Sequence, residues 1–169
     1  FVNLDDIRAG SLCVVDTNIL LYAEQGASSQ AQRFIRRCSS GDVKAILPQT
    51  VWQEFTHKLM LAEAMMRGLT SGGNPAARLA SRPEAIRGLT LYKAKVRALL
   101  DLGFGFEPCL LPDLLDGAFA LQEHHGLLTN DAMVLAVALR LKADALVSSD
   151  KAFQGIDELD VYYPTDLRL

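Results

Sequence analysis

Cysteine is scarce in this chain of 169 residues: Cys13, Cys38 and Cys109 are odd in number, far apart and set among apolar neighbours. That pattern argues against a disulfide framework or a zinc site built on paired cysteines, and reads as reduced, buried thiols in a cytoplasmic protein. No apolar run reaches the ~20 residues that cross a bilayer. The N-terminal stretch opens on Phe1, so it reads as trimmed, and it lacks the basic, then apolar, then small-residue order of a signal peptide. No Gly-Lys pair is present, which removes a P-loop, and no G-x-G-x-x-G occurs. No Ser-His-Asp or Cys-His set has supporting context. A strong positive charge is missing too: the net charge is −3, against a broadly basic nucleic-acid binder. What remains, with 50 % hydrophobic and 22 % charged residues, is an ordinary globular composition, read as one domain over 1–169.

The distribution of charge says more than its sum. Residues 67–97 carry Arg67, Arg78, Arg82, Arg87, Lys93, Lys95 and Arg97 against the single acid Glu84, so this segment is +6 and the remainder −9. A basic stripe beside an acidic site can hold a polyanion, and Arg82 and Arg87 are its candidate contacts. A solvated helix face would look the same. Arg33, Arg36 and Arg37 are read in the same two ways.

Short apolar runs at 12–15, 44–47, 106–111, 145–148 and 161–163 read as strands. Helices are expected at 18–24, 28–38, 50–66, 83–102, 113–122 and 130–142, with Ser28 or Ser29, Thr50, Asp113 and Thr129 as caps and Gly26 and Gly126 as stops. Thr50 with Gln53 forms a capping-box pattern. Gly68 to Pro83 reads as a loop. The stretch Ala132–Leu139 is apolar on every side, so its helix should be buried between layers. Strands alternating with helices imply an α/β fold whose parallel sheet is covered on both faces.

Four acids fall where such a sheet gathers ligands. Asp16 closes the first apolar run and Asp150 follows the fourth, while Glu54 and Asp131 sit in the first turns of helices. Each has a local explanation. Glu54 stands four residues before Lys58, the favourable order for a helical ion pair. Asp131 suits a helix N-terminus. Asp16 could cap the next helix, as could Asn18, and Asp150 could cap the turn of Lys151 and Ala152. Their joint placement at one sheet edge points instead to a hard divalent cation and phosphate chemistry.

The stretches Val15-Asp16-Thr17-Asn18, Val51-Trp52-Gln53-Glu54-Phe55, Leu128-Thr129-Asn130-Asp131-Ala132 and Val147-Ser148-Ser149-Asp150-Lys151-Ala152-Phe153 resemble, in order and context, the four acidic motifs of PIN domains. The likeness runs from about Leu12 to Tyr163 and is best to the VapC-like branch, the toxins of bacterial and archaeal toxin–antitoxin pairs. The basic segment after Glu54 is longer than a minimal toxin would carry.

This resemblance implies a three-layer α/β/α fold with a central parallel sheet of about five strands. It implies a ribonuclease dependent on Mg²⁺ or Mn²⁺, with RNA as substrate, a small antitoxin as partner, a homodimer and no membrane association. Asp16 and Asp150 would be direct ligands, Asp131 a ligand to the same or a second ion, and Glu54 a water-mediated ligand or base. Asn18 and Ser148 would orient the carboxylates, or simply cap. Two other readings stand beside it. A haloacid-dehalogenase-like phosphatase needs a second acid two positions after its aspartate, where Asn18 stands. A PIN-fold RNA-binding or scaffold module would not cleave. His57, His124-His125 and Trp52 are read as helix-surface, helix-end and core residues.

Overall fold

A computed structural model describes residues 1–168. The described residues form six parallel strands, five of them from the apolar runs: β1 (Val2–Asn3), β2 (Leu12–Val15), β3 (Lys44–Pro48), β4 (Gly105–Glu107), β5 (Ala145–Val147) and β6 (Asp160–Tyr163). Their order is β1-β6-β5-β2-β3-β4, with Val14 of β2 in register with Ile46 on one side and Leu146 on the other. Cys13, Val14 and Val15 are fully buried, as expected of a strand covered on both faces.

Among the described residues, eight α-helices connect them: α1 (Thr17–Gln25), α2 (Ser29–Ser39), α3 (Gln49–Met66), α4 (Pro75–Ala80), α5 (Pro83–Arg87), α6 (Leu91–Asp101), α7 (Phe119–His125) and α8 (Thr129–Arg140). From β2 the chain moves to β3 and β4, then crosses back to β5 and on to β6. With right-handed crossovers this puts α1–α6 on one face and α7 and α8 on the other. The three-layer parallel α/β architecture is therefore as expected, and α8 is buried from Ala132 to Ala138. No helix among the described residues is long and apolar enough to cross a membrane.

Several local expectations change. The sheet has six strands, because the two-residue β1 is too short to leave a pattern; it pairs with β6 at the edge. The third expected strand is shorter, pairing only from Gly105 to Glu107. Pro108 follows and has no N–H to continue the ladder. Thr50 and Gln53 form no capping box: α3 starts at Gln49 directly out of β3, without a side-chain cap. The Thr50 hydroxyl is buried without a partner. Thr129 lies inside α8, its hydroxyl accepting from Gln122 Nε2 at 3.3 Å. Asp113 opens a π-helical stretch, Asp113–Ala118, and its carboxylate holds Arg140. That stretch contains Gly117, where a Cβ would lie 2.9 Å from Ala136 Cβ, so glycine lets α8 pack against it.

The expected loop after Gly68 and the expected long helix from Pro83 are instead three helices, α4 to α6. Asn74, at φ 56°, caps α4 by accepting from Ala77 N. Leu79, Ala85 and Leu89 of this segment pack on Ala64 of α3 as a small second core. Three of its arginines are tied to its own backbone. Arg67 donates to Gly88 O at 2.7 Å, Arg78 to Ser71 O, and Arg82 to Leu69 O at 2.8 Å.

The start of α6 has no side-chain cap of its own. Glu63, 5 % exposed on α3, accepts from Thr90 N at 3.0 Å and Tyr92 N at 2.8 Å in its place. Burial alone would raise its carboxyl, but the amides of Tyr92, Thr90 and Leu91 outweigh it and hold the group below the ordinary range. A lowered folded value means stability that is present above the unfolded value and lost as pH falls through the folded one. Glu63→Ala is expected to cost about 2 kcal/mol in urea denaturation at pH 7. The difference from wild type should shrink in acid, below the ordinary glutamate value near 4.5. An equal loss at pH 3 and pH 7 would mean that packing, not the charge, is what the substitution removes.

Candidate active site

The two central strands part company where they end. β2 hands its chain toward β3 on one side, and β5 hands its chain toward β6 on the other. Asp16 sits at the end of β2, and its N–H still donates to Val147 O at 2.9 Å, extending the ladder by one bond. Beyond that the strands diverge, opening the crevice in which parallel sheets bind ligands.

Hydrogen bonds fix Asp16 on three sides. Oδ1 accepts from Thr17 N at 2.7 Å, capping α1. Oδ2 accepts from Ser148 Oγ at 2.6 Å and Asn18 Nδ2 at 3.1 Å. Ser148 is fully buried, and its hydroxyl also accepts from Asp150 N at 3.0 Å. Asn18 Oδ1 accepts from Ser149 N at 3.3 Å. The loops after β2 and β5 are thus cross-linked by the two residues read from sequence as supports. Asp150 caps the following 3₁₀ turn, Oδ1 accepting from Ala152 N at 2.8 Å.

Glu54 reaches the same edge from the second turn of α3. Its Oε2 accepts from Thr17 Oγ1 at 3.2 Å, and Oε1 pairs with Lys58 at 2.8 Å. The Lys58 pair was foreseeable from the i,i+4 spacing. Thr17 was not singled out, though a hydroxyl inside Asp-Thr-Asn was the available signal. Asp131 arrives on the first turn of α8, and among the described residues its carboxylate accepts no hydrogen bond.

The four acids feel one another. Burial, and then the charges of Asp150, Asp16 and Glu54, push the Asp131 carboxyl up from 3.8 to about 6. Asp16 is also raised, by burial first, against the hydrogen bonds from Ser148 and Thr17 and with added repulsion from Glu54 and Asp150. They share an edge without closing on one point. Among the described residues, the group whose ligand atoms all lie within 4.8 Å of one another is His124, His125 and Glu158. The donor set at the edge is oxygen only, carboxylates backed by hydroxyls and an amide, which suits a hard divalent cation. A cation would also offset the repulsion that raises Asp131.

Other residues fall away from the site. Arg33 pairs with Asp5 through two nitrogens, and Arg37 with Asp42 and Ile7 O. Trp52 is 8 % exposed and donates to Gly105 O, a core role. His57 is exposed on α3. Arg82 is partly engaged by Leu69 O and by Glu84 at 3.5 Å, whereas Arg87 is exposed.

A family model described as the PIN domain matches residues 13–159. No curated protein matches the chain. Among solved structures, a chain of VapBC2 from Rickettsia felis bound to a promoter DNA fragment is similar at a TM-score of 0.60 and 14 % identity, over 90 % of this chain and 98 % of that one. A toxin–antitoxin complex from Klebsiella pneumoniae gives 0.57 and 18 %, over 92 % and 99 %. Mycobacterium tuberculosis VapC20, a toxin that cleaves the sarcin–ricin loop, gives 0.53 and 16 %, over 88 % and 98 %.

A raised carboxyl gives the site a signature in solution. Between the ordinary value of 3.8 and about 6, the folded chain binds more protons at Asp131 than the unfolded one, so stability falls as pH rises through that window. Asp131→Asn is expected to raise the thermal midpoint of the metal-free protein by a few degrees at pH 7 and to leave it unchanged below about pH 4. Added Mn²⁺ should then stabilise wild type more than the variant. A variant no more stable than wild type at pH 7 would show that neither burial nor repulsion disfavours the Asp131 charge at this edge.

Proposed function

The chain belongs to the PIN domain family, and from that membership and the geometry of its acidic edge we propose that it is a metal-dependent endoribonuclease. The observation that carries this reading is that Asp16, Glu54, Asp131 and Asp150 share the edge at the β2–β5 parting, where burial and then the neighbouring charges push the Asp131 carboxyl up to about 6. In this reading Asp16 and Asp150 are the direct ligands of Mg²⁺ or Mn²⁺, and Asp131 is a further one. Such an ion lowers the pKa of a bound water and screens charge on the leaving oxygen.

The chain's own residues do the rest. Ser148 and Asn18 direct their donors at one oxygen of Asp16 and hold its carboxylate rigid. Thr17 and Lys58 hold Glu54, leaving it to orient or deprotonate water. The exposed Arg87, with Arg82, is the candidate contact for RNA phosphates. A phosphatase of the haloacid-dehalogenase type gains no support, since Asn18 occupies the position of its second acid and is spent on Asp16.

The similar VapBC2 and Klebsiella complexes favour a toxin of a toxin–antitoxin pair with an antitoxin partner; in this reading it acts in the cytoplasm as a homodimer and the antitoxin is small. An apolar groove of about 610 Å³ supports a protein partner. It includes Trp52, Met60, Val96 and the 55 %-exposed Leu100 and Phe106.

Cleavage of a structured RNA pool in Mn²⁺ should disappear with chelator and fall by about a hundredfold or more in Asp16→Asn, a loss of several kcal/mol of transition-state stabilisation. Intact RNA with wild type, and unaltered RNA binding by Asp16→Asn, would leave a non-cleaving RNA-binding module. For the basic segment, Arg82→Ala with Arg87→Ala should weaken RNA binding uniformly and reduce the slope of log K against log salt by about 2. An unchanged slope would return both arginines to a structural role.

A further inference from the structure

A second group of metal-competent side chains shares no residue with the acidic edge. α7 ends at His124 and His125, and Gly126 turns the chain at φ 70°. Glu158 stands in the segment before β6. The ligand atoms of these three residues all lie within 4.8 Å of one another. His125 Nε2 is 2.7 Å from Glu158 Oε1, and its side chain is only 11 % exposed. The rings of the two histidines meet edge to face at 4.4 Å between centroids. Glu158 Oε2 is steadied by Asp157 N, leaving Oε1 turned to the imidazole.

We propose that His124, His125 and Glu158 form a binding site for one transition-metal ion of the zinc class. Two imidazoles and a carboxylate are a borderline-soft donor set, which selects Zn²⁺, Co²⁺ or Ni²⁺ over the Mg²⁺ suited to the all-oxygen edge. A tetrahedral ion with bonds near 2.0–2.1 Å needs ligands roughly 3.3 Å apart, within reach of a small side-chain adjustment here. The ion takes the place of the proton shared by His125 and Glu158, and water completes its coordination. The helix C-terminus adds favourable potential for a cation.

Its position gives the site a consequence. His125 stands six residues before Asp131, and Glu158 eight residues after Asp150. An ion held between them clamps together the two segments that deliver those aspartates, independently of any ion at the carboxylates.

The test uses the tag-free protein with excess Mg²⁺ present to occupy the carboxylate edge. Zn²⁺ titrated by calorimetry is expected to bind as one equivalent and to raise the thermal midpoint. It should shift the imidazole resonances of His124 and His125 in nitrogen NMR, while those of exposed His57 stay in place as an internal reference. H124A/H125A should lose that equivalent, and E158Q, which keeps an acceptor for His125, should weaken it by about tenfold or more. Circular dichroism without zinc confirms that both variants fold. Retention of the equivalent in H124A/H125A, or wild-type spectra in which His124 and His125 do not move, would overturn the proposal.

Discussion

The hydrogen bond from the buried Ser148 hydroxyl to Asp16 is the interaction on which the acidic edge depends. Gathering carboxylates is unfavourable, since each ionised neighbour raises the cost of ionising the next. The edge offsets that cost by giving its most enclosed acid three donors, from Thr17, Asn18 and Ser148, before any cation arrives. Asp131 has no such donors, and it carries the large upward shift. Rigidity and repulsion are thus divided between different members of the same set. One aspartate is held in place, and another registers the unbalanced charge.

The segment between α3 and β4 solves a different problem. Its last helix, α6, joins the main core through Leu99, while α4, α5 and the turn after them build a small core of their own around Leu79 and Leu89. Such a small apolar cluster is assisted by charge. Arg67, Arg78 and Arg82 close carbonyls left by short helices and turns, and buried Glu63 closes the N-terminus of α6. A stretch whose composition suggests a polyanion surface is, to a large extent, a structure that uses guanidinium groups as caps. Arg87, with Lys93 and Arg97, is left facing solvent.

The legible features share a cause. Strand β5 and all of β2 after Leu12 are buried, so their apolar runs are continuous and their acidic ends stand out. The spacing of Glu54 and Lys58, the glycine stops at Gly26 and Gly126, and the Ser28 cap are local rules acting locally. Where partners come from far along the chain, the sequence is silent. Glu63 is one acid among others on α3, and the amides it caps lie 27 and 29 residues away. His125 reads as a helix-end residue until Glu158, 33 residues on, is brought to it. Thr50 shows the opposite failure, a well-formed local capping signal overridden because β3 runs straight into α3.

The latch between Ser148 and Asp16 joins residues 132 positions apart. During synthesis β2 leaves the ribosome before β5, and until the later segment follows, its terminal aspartate has neither β5 beside it nor Asp131 and Asp150 near it. Local helices such as α1 and α2 can form in that interval, whereas the acidic edge cannot. Assembly of the edge therefore waits until the segment carrying Asp131, Ser148 and Asp150 has been made. Whatever chemistry it performs is withheld from the partly made protein by topology alone, with no need for an inhibitor at that stage.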